Sequence, residues 1–219
     1  MTDWVLAAER AYVAAAVAQR GPGLLAATVA LPAPSTSPAT PDSPASARAH
    51  AVAATSIQAR AIAAAGAIAS RYLAVGTPRS FGIVIDDPDQ VDAAALTLAA
   101  HRTWFAPRDL RCASTGAGAE VLAAIIGGRG VSIDEALACD IVHVHSTRVC
   151  IRPAQLRRGT HVNAVSADVL DPELVALATF VREADLPALA AGLIDGRQLD
   201  EITIFAIDGA PVATAARLA

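Results

Sequence analysis

The chain predicts an α/β protein built on a parallel, doubly wound sheet. Short apolar runs at residues 81–85, 160–165 and 202–207 have the length and composition of strands covered on both faces. They alternate with Ala-rich or amphipathic stretches of helical period, the order expected when helices flank a parallel sheet. A hydrophobic fraction of 54% with only 4% aromatic residues suits small-residue helices packed on Val/Ile/Leu strands, and 219 residues suffice for one sizeable core.

Taken in order, residues 4–19 predict an amphipathic helix, closed by Arg20-Gly21-Pro22-Gly23. Residues 24–31 suit one short strand. Residues 32–46 are rich in proline, serine and threonine and cannot build a packed element. An Ala-rich helix follows over 45–74, with a break expected near Thr55-Ser56 and a stop at Gly76-Thr77-Pro78. Strand 81–85 then turns through Asp86 and Asp87 into a helix that closes before Pro107. Next come strand 110–113, helix 117–126 stopped by Gly127-Gly128, short helix 133–138, and strand 140–145. Strand 160–165, helix 171–178 led by Pro172, strand 179–182, helix 186–191 and strand 202–207 complete the pattern. The expected regions are a reduced N-terminal helical portion (1–75), the sheet domain (76–205) and a C-terminal tail (206–219) that packs back on the N-terminal portion.

The turn after strand 81–85 matters most. In a dinucleotide-binding βαβ unit it would carry G-x-G-x-x-G/A, because glycine lets the backbone approach a pyrophosphate whose charge the helix N-terminus then binds. Here those positions are Ile85, Asp86 and Asp87. Asp87 suits an N-cap, Pro88 the first helical position, and Gln90 the third residue of a capping box. Asp86, Asp87 and Asp89 would all repel a phosphate placed at that helix end.

The formal net charge of −4 excludes nucleic acid as a main partner, since phosphate neutralisation needs clustered positive charge. All 17 basic residues are arginine. This removes Schiff-base chemistry, a lysine acid or base and a P-loop lysine, because guanidinium does not readily give up its proton. Cys112, Cys139 and Cys150 are widely spaced without a CxxC pair, as expected of reduced thiols in a cytoplasmic protein. No membrane span or leader is expected.

Several segments together carry a resemblance. SRYLA at 70–74, FGIVI at 81–85, ACDIVHVHST at 138–147, LRRGTHVNAVSADVLDPEL at 156–174 and DEITIFAIDGAPVATAARLA at 200–219 resemble the ornithine cyclodeaminase/mu-crystallin family. The likeness covers the C-terminal two thirds of the chain. It implies a Rossmann-like domain, NAD(P) as cofactor, chemistry on cyclic imines or amino acids, and a homodimer. Carried over by position, the family's glycine turn falls on Ile85, Asp86 and Asp87, and its catalytic aspartate matches Asp168. Its carboxylate-gripping arginine falls nearest Arg60, one position out of step on a helix. Its substrate lysine has no counterpart here. Ser114 stands where the family reads the ribose, but it is not the carboxylate expected for NAD.

His143 and His145, two apart on a strand, face the same way and would supply two ligands of a zinc or copper site, with His161 or Cys150 as further donors. Histidines packed in a core explain them more simply, as helix capping explains the aspartates and turn formation explains Asp168. The favoured expectation is a degenerate relative of the family, a non-catalytic accessory or small-ligand-binding protein without cofactor. The alternatives are an NAD(P)-dependent imine or amino-acid oxidoreductase using Asp168, and a metal-binding protein using His143 and His145.

Overall fold

The computed structural model describes residues 3–17, 44–196 and 200–207. The expected strand over 24–31, nearly all of the proline-rich segment and the tail beyond 207 lie outside the described residues. Helix α1 spans Asp3–Val17 and α2 spans Pro44–Leu73. Helix α2 runs through Thr55-Ser56 without the expected break: its alanine-rich flanks favour helix on both sides, so two weaker formers do not interrupt it.

The sheet strands are β1 (Ser80–Ile85), β2 (Asp109–Ser114), β3 (Arg129–Gly130), β4 (Ile141–Val144), β5 (His161–Ala164), β6 (Thr179–Arg182) and β7 (Thr203–Ala206). Between them stand α3 (Val91–His101), α4 (Ala119–Ile126), α5 (Ile133–Leu137), α6 (Pro172–Leu177) and α7 (Leu186–Ala190). All strand pairs are parallel, in the order β3-β2-β1-β4-β5-β7-β6. The α/β, Rossmann-like class expected from the sequence is therefore the observed one. The two-residue β3, paired with Arg111 and Cys112 of β2, is too short to leave a hydrophobic pattern and was not among the expected strands.

Alternation of side chains divides the core between the two sheet faces. On one face Val84, Val142, Val144, Val162, Ala164 and Ile204 pack beneath α5 and α6. Gly82 is required there, because a Cβ at this position would overlap the Ala136 carbonyl of α5. On the other face Phe81, Ile83, Ile85 and Ile141 meet α3 and α4, while Phe205 and Val181 meet α1, α2 and α7. This second face also holds His143, Asn163 and Thr203, a polar layer within an otherwise apolar interface.

Candidate functional site

From β1 the chain builds outward to β2 and β3, then returns to place β4 on the other flank of β1. The crevice over the carboxyl ends of β1 and β4 is thus the topological switch point, where open α/β sheets bind ligands. Three turns converge on it, Asp86–Gln90 after β1, Ser114–Gly118 after β2 and His145–Arg148 after β4, while Ser166–Asp168 follows the neighbouring β5.

Asp86 lies in the first turn and is only 3% exposed. Its Oδ1 accepts the hydroxyl protons of Ser146 and of Thr115, the latter at 2.8 Å. Its Oδ2 accepts the Thr147 N–H at 2.7 Å and the Thr147 hydroxyl at 3.1 Å. Burial alone would raise the carboxyl pKa, but the bonds from Ser146, Thr147 and Thr115 outweigh it and hold the pKa below the usual value. The Ser146 oxygen in turn accepts the N–H groups of Arg148 and Val149 at 3.0 and 3.2 Å. One buried carboxylate therefore ties the β2 and β4 turns to the end of β1.

The helix start beyond it differs from the expected capping box. Residues Pro88–Gln90 form a 3-10 turn and the α-helix begins at Val91. Asp87 makes no side-chain cap bond. Its carboxylate instead pairs with the Arg148 guanidinium at 2.9 Å, across half-exposed surface. Gln90 reaches one residue further back than a capping box requires: its Oε1 accepts the Asp86 N–H at 2.6 Å, and its Nε2 lies 3.4 Å from the His145 carbonyl. The reason is geometric, since β1 stops at Ile85 and leaves the Asp86 N–H as the donor that needs a partner.

This helix start is poorly furnished for an anion. Pro88 has no N–H, the Gln90 N–H bonds to the Asp87 carbonyl at 3.1 Å, and the Val91 N–H bonds to the Pro88 carbonyl. A dinucleotide pyrophosphate placed there would meet the Asp86 carboxylate instead of a glycine backbone. Two unit charges of like sign at 4 Å repel by about 4 kcal/mol at the effective dielectric of a protein surface. The residues present do not fit a pyrophosphate at this turn.

Ser114, at the expected ribose position, is turned inward: its hydroxyl lies 3.0 Å from the Asp86 carbonyl and 2.9 Å from that of Ala117. A Cβ on the neighbouring Gly116 would come within 2.9 Å of the Asp86 carbonyl, so the two turns touch along their backbones. Asp168 sits in a 3-10 turn, Ala167–Val169, beyond β5, with its side chain exposed and its N–H bonded to Ser166 Oγ at 3.2 Å. Arg60 is exposed on α2. Of the sequence candidates, Ile85, Asp86, Asp87 and Ser114 meet at the crevice. Ser146, Thr147 and Thr115 were not foreseen, although the Ser-Thr pair directly after strand β4 was a readable signal for a polar turn.

His143 and His145 share one sheet face and are packed in the core, the simpler of the two readings of the pair. Their rings lie 4.7 Å apart, tilted by 31°. His145 Nε2 is 3.1 Å from Thr97 Oγ1, and both nitrogens of His161 are engaged by Thr203 and Asn163. Cys150 is exposed, whereas Cys112 and Cys139 are buried. Among the described residues no group of three or more His, Cys, Asp or Glu side chains is placed to hold a metal ion. The same residues contain no helix long and apolar enough to cross a membrane.

Comparison with solved structures gives clear matches. An archaeal alanine dehydrogenase dimer with bound NAD aligns at TM-score 0.60 and 23% identity over 69% of this chain and 59% of its own. Thermococcus litoralis Δ1-pyrroline-2-carboxylate reductase, in complex with NADH and L-proline, aligns at 0.61 and 24% over 71% and 60%. A probable ornithine cyclodeaminase from Bordetella pertussis aligns at 0.57 and 19% over 70% and 61%. The chain shares their fold. The last of these carries the name of the family that the sequence resembles, and this chain spans about three fifths of the length of each. No protein-family model and no curated protein matches the chain.

Proposed function

We propose that this chain is a divergent relative of the ornithine cyclodeaminase/mu-crystallin enzymes that has closed its dinucleotide crevice and works without NAD(P), as an accessory or small-ligand-binding protein. The observation that carries this reading is the buried Asp86 carboxylate with four hydrogen bonds from Ser146, Thr147 and Thr115, in the turn where the resemblance would put a glycine loop. Admitting a pyrophosphate would require breaking bonds to a charged group that are each worth about 1.5–3 kcal/mol. The absence of lysine supports the same reading, because the substrate lysine implied by the resemblance has no replacement.

A titration of NADH and NADPH followed by cofactor fluorescence tests it. The expected result is an unchanged emission spectrum up to millimolar protein. Saturable quenching or a blue shift would overturn the reading.

A second reading is favoured by the solved relatives that hold NAD or NADH on this fold. In it the chain is an NAD(P)-dependent imine or amino-acid oxidoreductase with a remodelled phosphate grip. Asp168, exposed beyond the carboxyl end of β5, serves as its acid–base group. This reading requires cofactor-dependent turnover that Asp168→Asn abolishes.

A further inference from the structure

Four of the five histidines in the chain, His101, His143, His145 and His161, lie buried in one layer between the sheet and helices α2 and α3. The His101 and His143 rings are 5.9 Å apart, and His143 and His145 are 4.7 Å apart. A directed hydrogen-bond chain runs through the layer. The Thr203 hydroxyl lies 2.9 Å from His161 Nδ1 and 3.4 Å from the Leu73 carbonyl, and His161 Nε2 donates to Asn163 Oδ1 at 3.1 Å. The Asn163 amide donates to Ser70 Oγ at 2.8 Å, Ser70 donates to His101 Nε2 at 2.9 Å, and His101 Nδ1 donates to the Thr97 carbonyl at 2.8 Å.

The acceptor oxygens fix one N–H on each ring, Nε2–H of His161 toward Asn163 Oδ1 and Nδ1–H of His101 toward the Thr97 carbonyl. A second proton on His101 would leave the Ser70 hydroxyl without an acceptor. His145 donates through Nε2 to Thr97 Oγ1, whose own proton goes to the Ala93 carbonyl at 3.0 Å.

His143 is the centre of the layer and the exception. It is fully buried, and neither ring nitrogen has a hydrogen-bond partner among the described groups. Gly66 of α2 leaves the notch that the ring occupies, since a Cβ there would stand 2.7 Å from its Cε1. An imidazolium at this position would be buried with two N–H groups unpaired, a state the fold cannot hold.

Among the described residues no charge compensates within the layer. The groups facing it are Gly66 and Ser70 on α2, Thr97 and His101 on α3, Phe81, Ile83 and Ile85 on β1, His161 and Asn163 on β5, and Thr203 on β7. The charged residues of the covering helices point elsewhere: Arg60, Asp92 and Arg102 are exposed, and Arg71 is paired with Glu9 of α1. Asp86, at the end of β1, is committed to Ser146, Thr147 and Thr115.

We propose that this histidine layer is an acid-operated latch: while its rings are neutral it seats α1, α2 and α3 on the sheet, and mild acidification releases them. Burial lowers all four pKa values, to about 4 for His101 and His145, to about 3 for His161, and well below the usual value for His143. With folded values depressed below an unfolded value of about 6.5, the stabilisation is complete above that pH and is lost as pH falls toward the folded values. The upper part of that window, between about pH 6.5 and 5, lies above the range where carboxylates titrate.

Trp4 and Trp104, the two tryptophans of the chain, both pack on this face, so their emission reports its opening. The test is urea unfolding followed by tryptophan emission between pH 7.5 and 5, for the wild type and for His143→Leu. The wild-type unfolding constant is expected to rise by about tenfold per histidine for each pH unit below 6.5, a slope approaching four protons. In His143→Leu the slope falls by one proton, so its unfolding constant at pH 5.5 rises about tenfold less than that of the wild type. A wild-type slope of one proton or less overturns the proposal without reference to any variant. So does a folded His143→Leu protein with the wild-type slope. The outcome is independent of whether the crevice at Asp86 accepts a dinucleotide.

Discussion

Thr147 donates its backbone N–H to Asp86 Oδ2 at 2.7 Å, joining the turn after β4 to the end of β1 across 61 residues of chain. The bond makes the switch-point crevice a structural joint. The Asp86 carboxylate ties the β1 and β4 turns together at the point where the two halves of the sheet diverge.

Removing that carboxylate leaves four buried or half-buried donor groups, on Ser146, Thr147 and Thr115, without their acceptor. Asp86→Ala is therefore expected to lower stability by about 3 kcal/mol at pH 7, measured by urea denaturation. The pKa is lowered in the fold, so this contribution is present above the unfolded carboxylate value of about 3.9 and is lost as pH falls through the lower folded value. The gap between the wild type and Asp86→Ala should accordingly be full above about pH 5 and narrow as pH falls below the unfolded carboxylate value. A gap that does not change with pH would show that Asp86 acts through packing alone.

The site and the fold were unequally legible in the sequence. Strands β1, β5 and β7 announce themselves because runs such as FGIVI and TIF are buried on both faces and bounded by turn residues. The Asp-Asp-Pro turn also showed that no glycine loop follows β1, since that is a local property. What Asp86 does instead was hidden, because its partners Thr115, Ser146 and Thr147 lie 29 to 61 residues away and only the sheet order brings them together. The histidine layer was hidden for the same reason. His143 and His145 show a strand alternation, but His101 comes from a helix whose burial only the packing of α2 on α3 determines.

Gly82 tests the closest approach in the fold. Its place in the middle of β1 costs backbone entropy that an alanine would save, yet the Ala136 carbonyl of α5 occupies the space a methyl group would need. Because the obstacle is backbone, α5 must move as a unit. Gly82→Ala is expected to destabilise by about 2–3 kcal/mol, the upper part of the range for overpacked cores. A change below 0.5 kcal/mol would mean that α5 is free to shift.

The three cysteines should separate by accessibility. Cys112 and Cys139 are buried, and desolvation pushes both thiols up to about 11, which suppresses the reactive thiolate. Cys150 is exposed in the turn region after β4. A thiol-disulfide reagent at pH 8 is expected to modify one cysteine per chain within minutes and the other two only after urea is added. Cys150→Ser should abolish the fast phase and leave the slow one intact. Fast labelling of two or three thiols in the native protein would contradict the packing around β2 and α5.

The attachment of α1 rests on a charge network that can be taken apart. Glu9 of α1 accepts both hydrogen bonds from Arg71 Nη1, at 2.6 and 2.7 Å, and a third from the Tyr72 hydroxyl at 2.7 Å. The Arg71 guanidinium also lies 5.0 Å from the Trp104 ring centre, so the same cation touches α1 and the end of α3. The Arg71 side chain is 40% exposed, which screens the pair and limits its worth to the upper range of surface ion pairs, about 1 kcal/mol. Tyr72 adds a second effect: burial first, then its bond to Glu9, raise the phenol to about 12. Glu9→Gln keeps the shape but removes the charge, so it should cost about 1 kcal/mol and bring the Tyr72 titration down toward the ordinary phenol value of about 10. An ultraviolet pH titration of the tyrosinate band reads the second effect separately from unfolding. A Tyr72 titration unmoved by Glu9→Gln would show that burial, not the carboxylate, sets the phenol, and that α1 is held by its apolar contacts through Val5, Ala8 and Tyr12.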